Sequence, residues 1–175
     1  MGDEIAFSNR VSSEFLTKVV DISNYLGISP DWLMAAMAFE TGGTFSPSIR
    51  NAAGSGATGL IQFMPSTARA LGTTTDLLAE ISAEDQLDYV YRYFKPYAGR
   101  LKSLEDTYMA ILWPRGIGRP MDAGVGEATH PVTYRMNCGL DLDGDRVITK
   151  REATERVRRL LVAGLAEARG TIQTT

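Results

Sequence analysis

Apolar positions along the chain recur with the three- and four-residue spacing of amphipathic helices. Breaks in this pattern coincide with glycine and proline, which end helices, and with serine or threonine, which cap them. No stretch alternates between apolar and polar residues in the way that predicts a β-strand. The pattern therefore predicts a mostly α fold with helices over residues 12–27, 30–40, 65–72, 82–96, 103–113 and 149–169.

The helix predicted over residues 30–40 carries a carboxylate on its apolar face. Leu33, Ala36, Met37 and Glu40 recur at i, i+3, i+4 and i+7, so the carboxylate shares the apolar stripe. Glu40 also lies in the last turn, at the negative end of the helix dipole. Both surroundings disfavour the ionised form, so the pattern predicts a raised pKa that suits a general acid. The alternative is a glutamate that turns to solvent at a frayed helix end.

Two segments lack a helical pattern. Residues 41–59 contain five glycines, and loops this long inside a compact domain are usually functional or disordered. Residues 114–135 are rich in glycine and proline and are predicted to be irregular. The first of these segments directly follows Glu40, which makes it a candidate ligand-binding loop.

Composition narrows the class of protein further. The length of 175 residues fits one domain, and a net charge of −3 gives no sign of nucleic-acid binding. Cys138 is the only cysteine, so no intrachain disulfide can form. No apolar run is long enough to insert in a membrane, and the first residues lack the pattern of a secretory signal peptide. We therefore expect a chain made in the cytoplasm, which would need another route to an extracytoplasmic substrate.

The order of residues around the long loop matches a known pattern. Glu40 at a helix end is followed by small residues, by Gly59-Leu60-Ile61-Gln62-Phe63-Met64-Pro65 and then by Ser66-Thr67-Ala68. This order resembles the catalytic core of lytic transglycosylases and goose-type lysozymes, which cleave bacterial peptidoglycan, and most of all the phage enzymes among them. The resemblance is strong over residues 30–72 and looser to about residue 115. It implies a lysozyme-like helical core over residues 1–120.

Two positions depart from that family pattern. Thr41 stands where the family commonly has serine, which keeps a hydroxyl group. Tyr108 matches the tyrosine of an Ala-Tyr-Asn sequence in the family, but the asparagine has no counterpart here.

The resemblance implies roles for individual residues. Glu40 would be the catalytic acid and base, and five residues would bind substrate: Thr41, Gly59, Gln62, Phe63 and Tyr108. Gln62 could instead close the loop through a side-chain hydrogen bond. Phe63 is expected mainly in the core, and Tyr108 could be a core tyrosine or a hydrogen-bond partner of Glu40.

The expected reaction is cleavage of the β-1,4 bond between N-acetylmuramic acid and N-acetylglucosamine, without a catalytic cofactor. No second acid lies near Glu40 in sequence, so the substrate's own acetamido group and 6-hydroxyl would complete the reaction and give a 1,6-anhydro product. Attack by water would make the protein a lysozyme instead. A wall-binding or structural virion subunit without turnover is the other alternative. The partner is peptidoglycan in each case, and the protein would be a monomeric endolysin or part of a virion.

A second pattern lies near the C-terminus. Residues 141–152 place acidic side chains at positions 1, 3, 5 and 12 of a stretch that resembles a calcium-binding EF-hand loop. The predicted ligands are Asp141, Asp143, Asp145, the carbonyl group of Val147, and Glu152. The alternative is an Asp-rich turn that caps the last helix.

One position in this loop departs from the EF-hand pattern. Arg146 stands where the loop needs a positive φ and usually has glycine, which is expected to weaken calcium binding. The helix before the loop is also poor, since residues 130–138 are few and include Pro131. We expect Ca²⁺ as a structural ion in an extension, residues 121–175, that packs on the core as part of one compact unit.

Overall fold

The computed structural model describes residues 4–127 and 131–170 and is mostly helical, as predicted. Its helices are α1 (Ser13–Leu26), α2 (Pro30–Glu40), α3 (Pro65–Ala70), α4 (Thr75–Glu80), α5 (Ala83–Phe94), α6 (Leu104–Leu112), α7 (Pro131–Asn137) and α8 (Lys150–Gly170). Two strands, β1 (Gly124–Glu127) and β2 (Val147–Thr149), pair antiparallel. In the described part of the chain, no helix combines the length and the apolar character needed to cross a membrane.

Serine hydroxyls cap the helices where the sequence predicts. Ser12 accepts from the amide of Phe15 at 3.1 Å, and Ser103 accepts from the amide of Asp106 at 3.1 Å. Each bond satisfies an amide that has no partner inside its own helix. Gly27 ends α1 in the left-handed conformation, with φ of 72°, which glycine adopts without steric cost. These boundaries are confirmed.

The prediction that residues 114–135 are irregular is wrong in part, as is the absence of strands. This segment contains β1 and the start of α7, and β1 pairs with β2 through a register shift between Gly124 and Gly126. Strands of three and four residues are too short to show an alternating pattern, and glycine hides it in β1. His130, at the start of the predicted helix before the calcium-like loop, lies outside the described residues. The described part of that stretch does form a helix, α7, which begins at Pro131.

The core has two connected parts. The larger part lies among α1, α2 and α5, around buried Phe15, Leu33 and Leu87. The smaller part joins α2, α6, β2 and α8, where Ala35 and Ala36 let the helices approach closely. The segment from residue 121 onwards thus contributes to the core that supports α2.

The N-terminal segment packs against α8. Phe7 donates its amide to the carbonyl of Gly164 at 3.2 Å, and its ring occupies the space that a side chain on Gly164 would need. Arg10 forms an ion pair with Glu167 at 2.6 Å. These contacts hold the first residues of the described chain on its last helix.

A buried ion pair joins α6 to the start of α8. The ammonium group of Lys150 donates to Asp106 at 2.6 Å and to the carbonyls of Gly116 and Arg119 at 3.1 and 3.0 Å. Asp106 also accepts from the amide of Gly118 at 2.8 Å. Because every group of the pair has partners, the charges are tolerated inside the protein and the position of α6 is fixed.

Candidate active site and candidate metal loop

Glu40 is half-buried at the last residue of α2. Burial raises the pKa of its carboxyl group from 4.5 to about 7, while a hydrogen bond from Tyr108 opposes the shift. An isolated carboxyl group would be almost fully ionised at neutral pH, whereas this one holds a proton about half of the time. This balance between the two forms is what a group that first donates and then accepts a proton requires.

Tyr108 supplies that hydrogen bond from α6. Its side chain is 3% exposed, and its ring meets Phe39 edge to face at 5.4 Å between centroids. Burial raises the pKa of Tyr108 well above 10, and the neighbouring carboxylate of Glu40 raises it further. The phenol therefore stays protonated and acts on Glu40 only as a hydrogen-bond donor.

Tyr93 is a residue of this site for which the sequence favours helix packing, with sugar stacking as the alternative. Its hydroxyl donates to the carbonyl of Ala110 at 2.6 Å, and Glu40 is close enough to contribute to the rise in the pKa of Tyr93, which burial mainly causes. The ring lines a cavity of about 50 Å³ together with residues of the 61–67 segment and Ile111. The 3.6-residue pattern of α5 places Tyr93 among aromatics that pack on neighbouring helices, which is why the sequence favours packing for this residue.

Gln86 is a residue that sequence reasoning missed. It is fully buried on α5, accepts from the amide of Leu60 at 2.7 Å, and donates to the carbonyls of Pro47 and Leu78 at 3.0 and 2.7 Å. A buried amide with three partners holds the loop that follows Glu40 at Pro47 and at its end, Leu60, and ties both to α4. The sign in the sequence that could have identified Gln86 is that this polar residue stands next to Leu87 on the apolar face of the predicted helix.

Four predicted substrate-binding residues have structural roles in this conformation. Thr41 is fully buried, and its hydroxyl donates to the carbonyl of Met37 at 2.7 Å and accepts from the amide of Phe45 at 3.0 Å. Phe63 is 2% exposed and belongs to the core. In this structure both side chains therefore serve packing or hydrogen bonding within the protein, although Phe63 also lines the cavity beside Tyr93.

Gly59 and Gln62 close the loop. Gly59 has φ of 81°, and a Cβ there would lie 2.2 Å from Gln86, so close approach explains the glycine. Gln62 donates to the carbonyls of Gly59 and Ile49 at 3.1 and 3.3 Å, which is the loop-closing alternative, although it also lines the cavity beside Tyr93. Of the residues predicted to bind substrate, the structure brings only Tyr108 directly to Glu40.

The nearest acids in sequence to Tyr108 are engaged elsewhere. Glu105 pairs with Arg158, and Asp106 pairs with Lys150. Among the described residues, no carboxylate contributes to the pKa shift of Glu40. The site therefore offers one acid and two protonated tyrosines, which is suited to proton transfer to and from a bound group.

The 141–152 loop gathers acidic side chains at the surface. Asp141, Asp143 and Asp145 each place a carboxylate oxygen within 4.8 Å of the others, an arrangement that could hold a metal ion. The carboxylates also accept amide hydrogens of the loop, as from Gly144 to Asp141 at 2.7 Å. Hydroxyl Oη of Tyr134 on α7 donates to Asp141 at 2.6 Å.

Glu152 faces the same loop from the first turn of α8. Its carboxylate accepts from the amides of Leu142 and Thr149, each at 2.9 Å, and so holds the two ends of the loop together. Arg146 has φ of 72°, the conformation that this position of an EF-hand loop requires. Val147 lies in β2, beside the cluster in sequence. Three of the five predicted ligands therefore converge, and a fourth closes the loop.

Comparison with models of known protein families and with characterised proteins gave no match for this chain. Its function is therefore inferred from the residues and the geometry described above. These offer a carboxyl group that titrates near neutral pH at one place and a cluster of carboxyl oxygen donors at another.

Proposed function

We propose that the protein cleaves the β-1,4 bond between N-acetylmuramic acid and N-acetylglucosamine in bacterial peptidoglycan. The observation that carries this proposal is the pKa of Glu40, raised to about 7 at the end of α2 and next to a protonated tyrosine. The residue order from Glu40 to Ala68, which resembles that of lytic transglycosylases and goose-type lysozymes, selects this reaction among those that a general acid can perform. We also propose that the helical core is lysozyme-like.

Protonated Glu40 donates to the glycosidic oxygen as the bond to muramic C1 breaks. Positive charge then develops at C1 and on the ring oxygen of that sugar. The carboxylate left behind is stabilised by the hydrogen bond from Tyr108, which forms with the charged state. The same bond that lowers the pKa of Glu40 therefore assists the proton transfer.

A single carboxyl group is enough for the second step. The 2-acetamido oxygen of the substrate stabilises C1, and the 6-hydroxyl then attacks C1 while ionised Glu40 takes its proton. Glu40 returns to its protonated form, and the product carries a 1,6-anhydro ring. This route accounts for the lack of a second carboxylate acting on Glu40 in the described residues. The cavity beside Tyr93, of about 50 Å³, is large enough for a methyl-sized group rather than a sugar ring.

Mass spectrometry of the products released from purified peptidoglycan tests the proposal. Fragments with 1,6-anhydromuramic ends are expected, and the Glu40→Gln protein should release about 10²- to 10⁴-fold less. Reducing muramic ends would replace the transglycosylase by a hydrolytic lysozyme. Absence of products from the wild-type chain, with and without Ca²⁺, would contradict cleavage and favour a wall-binding or structural virion subunit.

We further propose that Ca²⁺ binds the 141–152 loop as a structural ion. Asp141, Asp143 and Asp145 supply hard oxygen donors within reach of one another, and Glu152 and the carbonyl of Val147 would complete the set. The positive φ of Arg146 supports this proposal, because an EF-hand loop needs that backbone turn at this position. Bound Ca²⁺ would neutralise the repulsion among the carboxylates and tie the loop to α8.

The cellular setting that fits both proposals is a phage protein that reaches the wall from inside the host or from the virion. Peptidoglycan is its partner, and no catalytic cofactor is needed because Glu40 and the substrate supply the reacting groups.

A further inference from the structure

A groove lies between α1 and α5, away from Glu40. It has a volume of about 270 Å³ and is lined by Lys18, Asp21, Ile22, Asp88 and Tyr91. Ile22 forms its buried floor, whereas Asp21 and Asp88 are exposed at the surface. Neither the proposed reaction nor the proposed calcium site uses any of these side chains.

An aromatic pair borders the groove. Tyr25 and Tyr91 meet edge to face at 5.1 Å between centroids, and their hydroxyl groups are hydrogen-bonded to each other. Tyr25 is 52% exposed, which is a large apolar surface for a side chain that packs on a neighbour. Rings held in place at a surface lose little entropy when they bind a ligand.

The charged groups of the groove are also held in place. Lys18 donates to the carbonyl of Glu84 at 2.9 Å and lies 3.6 Å from the carboxylate of Asp88. Asp21 and Asp88 supply acceptors, Lys18 supplies donors, and the tyrosine hydroxyls supply both. Two carboxylates against one ammonium group give the groove a slight negative charge, which disfavours polyanions.

The groove and the proposed active site lie on different faces of α5. Successive helical residues are about 100° apart, so Tyr91 and Tyr93 point about 160° away from each other. Tyr91 lines the groove, whereas Tyr93 lines the cavity near Glu40. A ligand in the groove therefore does not compete for the space beside Glu40.

We propose that the groove between α1 and α5 binds a neutral N-acetylated glycan segment, so that the protein can hold one part of the polymer while Glu40 acts on another. The exposed aromatic surface fits the apolar face of a sugar ring, and the paired donors and acceptors fit its hydroxyl and amide groups. The choice of N-acetylated sugars rests on the proposed function, whereas the preference for a neutral polyhydroxylated ligand rests on the groove itself.

Binding can be measured without turnover. Chitotetraose, the tetramer of N-acetylglucosamine, is titrated into the full-length Glu40→Gln protein, and amide chemical shifts are followed by NMR. We expect shifts at residues of α1 and α5 that line the groove, with a saturation curve separate from any curve at α2 and α6. Shifts confined to α2 and α6, or none at all, would overturn the proposal.

Variants distinguish a built site from a general surface effect. Tyr25→Ala, and Asp21→Asn combined with Asp88→Asn, should each raise the dissociation constant at the groove at least fivefold. Asp85→Asn is the matched control, because it removes an exposed carboxylate from α5 outside the groove. An equal loss in the control would contradict the proposal.

The two proposals can fail separately. Groove shifts in a protein whose wild-type form releases no products would leave glycan binding standing and remove the proposed cleavage. Products without groove shifts would do the reverse. If the groove shifts appear with an uncharged polyol such as sorbitol at equal strength, the site does not recognise a glycan and the proposal is overturned.

Discussion

Glu40 and Asp141 are both carboxyl groups that accept a hydrogen bond from a tyrosine, yet their pKa values move in opposite directions. Burial raises the pKa of Glu40 to about 7 although Tyr108 opposes it. The hydrogen bond from Tyr134 lowers the pKa of Asp141, and amides of its loop lower it further. Tyr134 is half-buried and Asp141 lies in an open loop, whereas Tyr108 is almost fully buried.

The comparison shows that removal from water, rather than the tyrosine, decides the protonation state. A tyrosine hydrogen bond favours the charged form in both places, but only at Glu40 does the loss of solvation exceed it. One carboxyl group is thereby kept available for proton transfer near neutral pH. Asp141 is kept ionised, which is the state that a cation needs.

The largest expected effect comes from removing the acid. Glu40→Gln keeps the size of the side chain but cannot transfer a proton, so release of wall fragments should fall by about 10²- to 10⁴-fold. Turbidity loss of a peptidoglycan suspension measures it. Asp143→Asn is the matched control, because it removes a carboxylate from the exposed 141–152 loop. This variant should retain most of the activity when Ca²⁺ is present. Full clearing by Glu40→Gln would contradict the assignment.

The raised pKa of Glu40 also predicts how stability depends on pH. The protonated form is favoured in the folded state, so its contribution is complete below about pH 4.5 and is lost as the pH rises through about 7. The free energy of unfolding, wild type minus Glu40→Gln, should fall by on the order of 1–3 kcal/mol between about pH 4.5 and 7.5. Urea unfolding at several pH values measures it, and a flat difference would show that Glu40 is solvated.

The stability contributed by the 141–152 loop is expected to depend on pH with the opposite sign. Asp141 has a lowered pKa, so its contribution to stability is present above its usual pKa and is lost as the pH falls through the lower folded value. Ca²⁺ at 100 times its dissociation constant should add about 2.7 kcal/mol by mass action. Asp143→Asn should reduce the calcium-induced rise in Tm, and Asp122→Asn, an exposed acid outside the cluster, should not. An equal rise in wild type and Asp143→Asn would place the ion elsewhere.

The smallest expected effect comes from removing the hydrogen bond between Tyr108 and Glu40. Tyr108→Phe removes a bond that lowers the pKa of Glu40, so the alkaline limb of the activity profile should move to higher pH. Loss of one hydrogen bond should cost about 1 kcal/mol of stability. Tyr134→Phe at Asp141 is the control and should leave the alkaline limb unchanged. A shift to lower pH in Tyr108→Phe would mean that the tyrosine favours the protonated acid.

The helical boundaries could be predicted because they depend on neighbouring residues. Serine caps and Gly27 act within a few positions along the chain, and an amphipathic stripe is visible in a single element. A carboxylate on an apolar helix face, as at Glu40, could be recognised for the same reason. The short strands could not be predicted, since β1 and β2 are defined by pairing across about twenty residues.

The surroundings of Glu40 depend on distant segments and were therefore harder to predict. Tyr108 could be proposed from the family resemblance. The pattern around Tyr93 favours helix packing, and nothing near Gln86 in sequence indicates that it reaches the loop. Thr41, assigned to substrate binding by the family resemblance, closes a turn with its hydroxyl in this structure. The family pattern identifies a position but does not specify which hydrogen bonds its side chain makes.

The packing of α8 on α2 and α6 determines when the fold can be completed during synthesis of the chain. Ala35 and Ala36 precede Val157 by more than a hundred positions, yet all three share one cluster. Such distant pairing delays completion of a fold until the later partner exists. During translation, the cluster that packs around Tyr108, the hydrogen-bond partner of Glu40, cannot be complete until α8 has left the ribosome. The support of the proposed acid would therefore be finished only when this helix has been made.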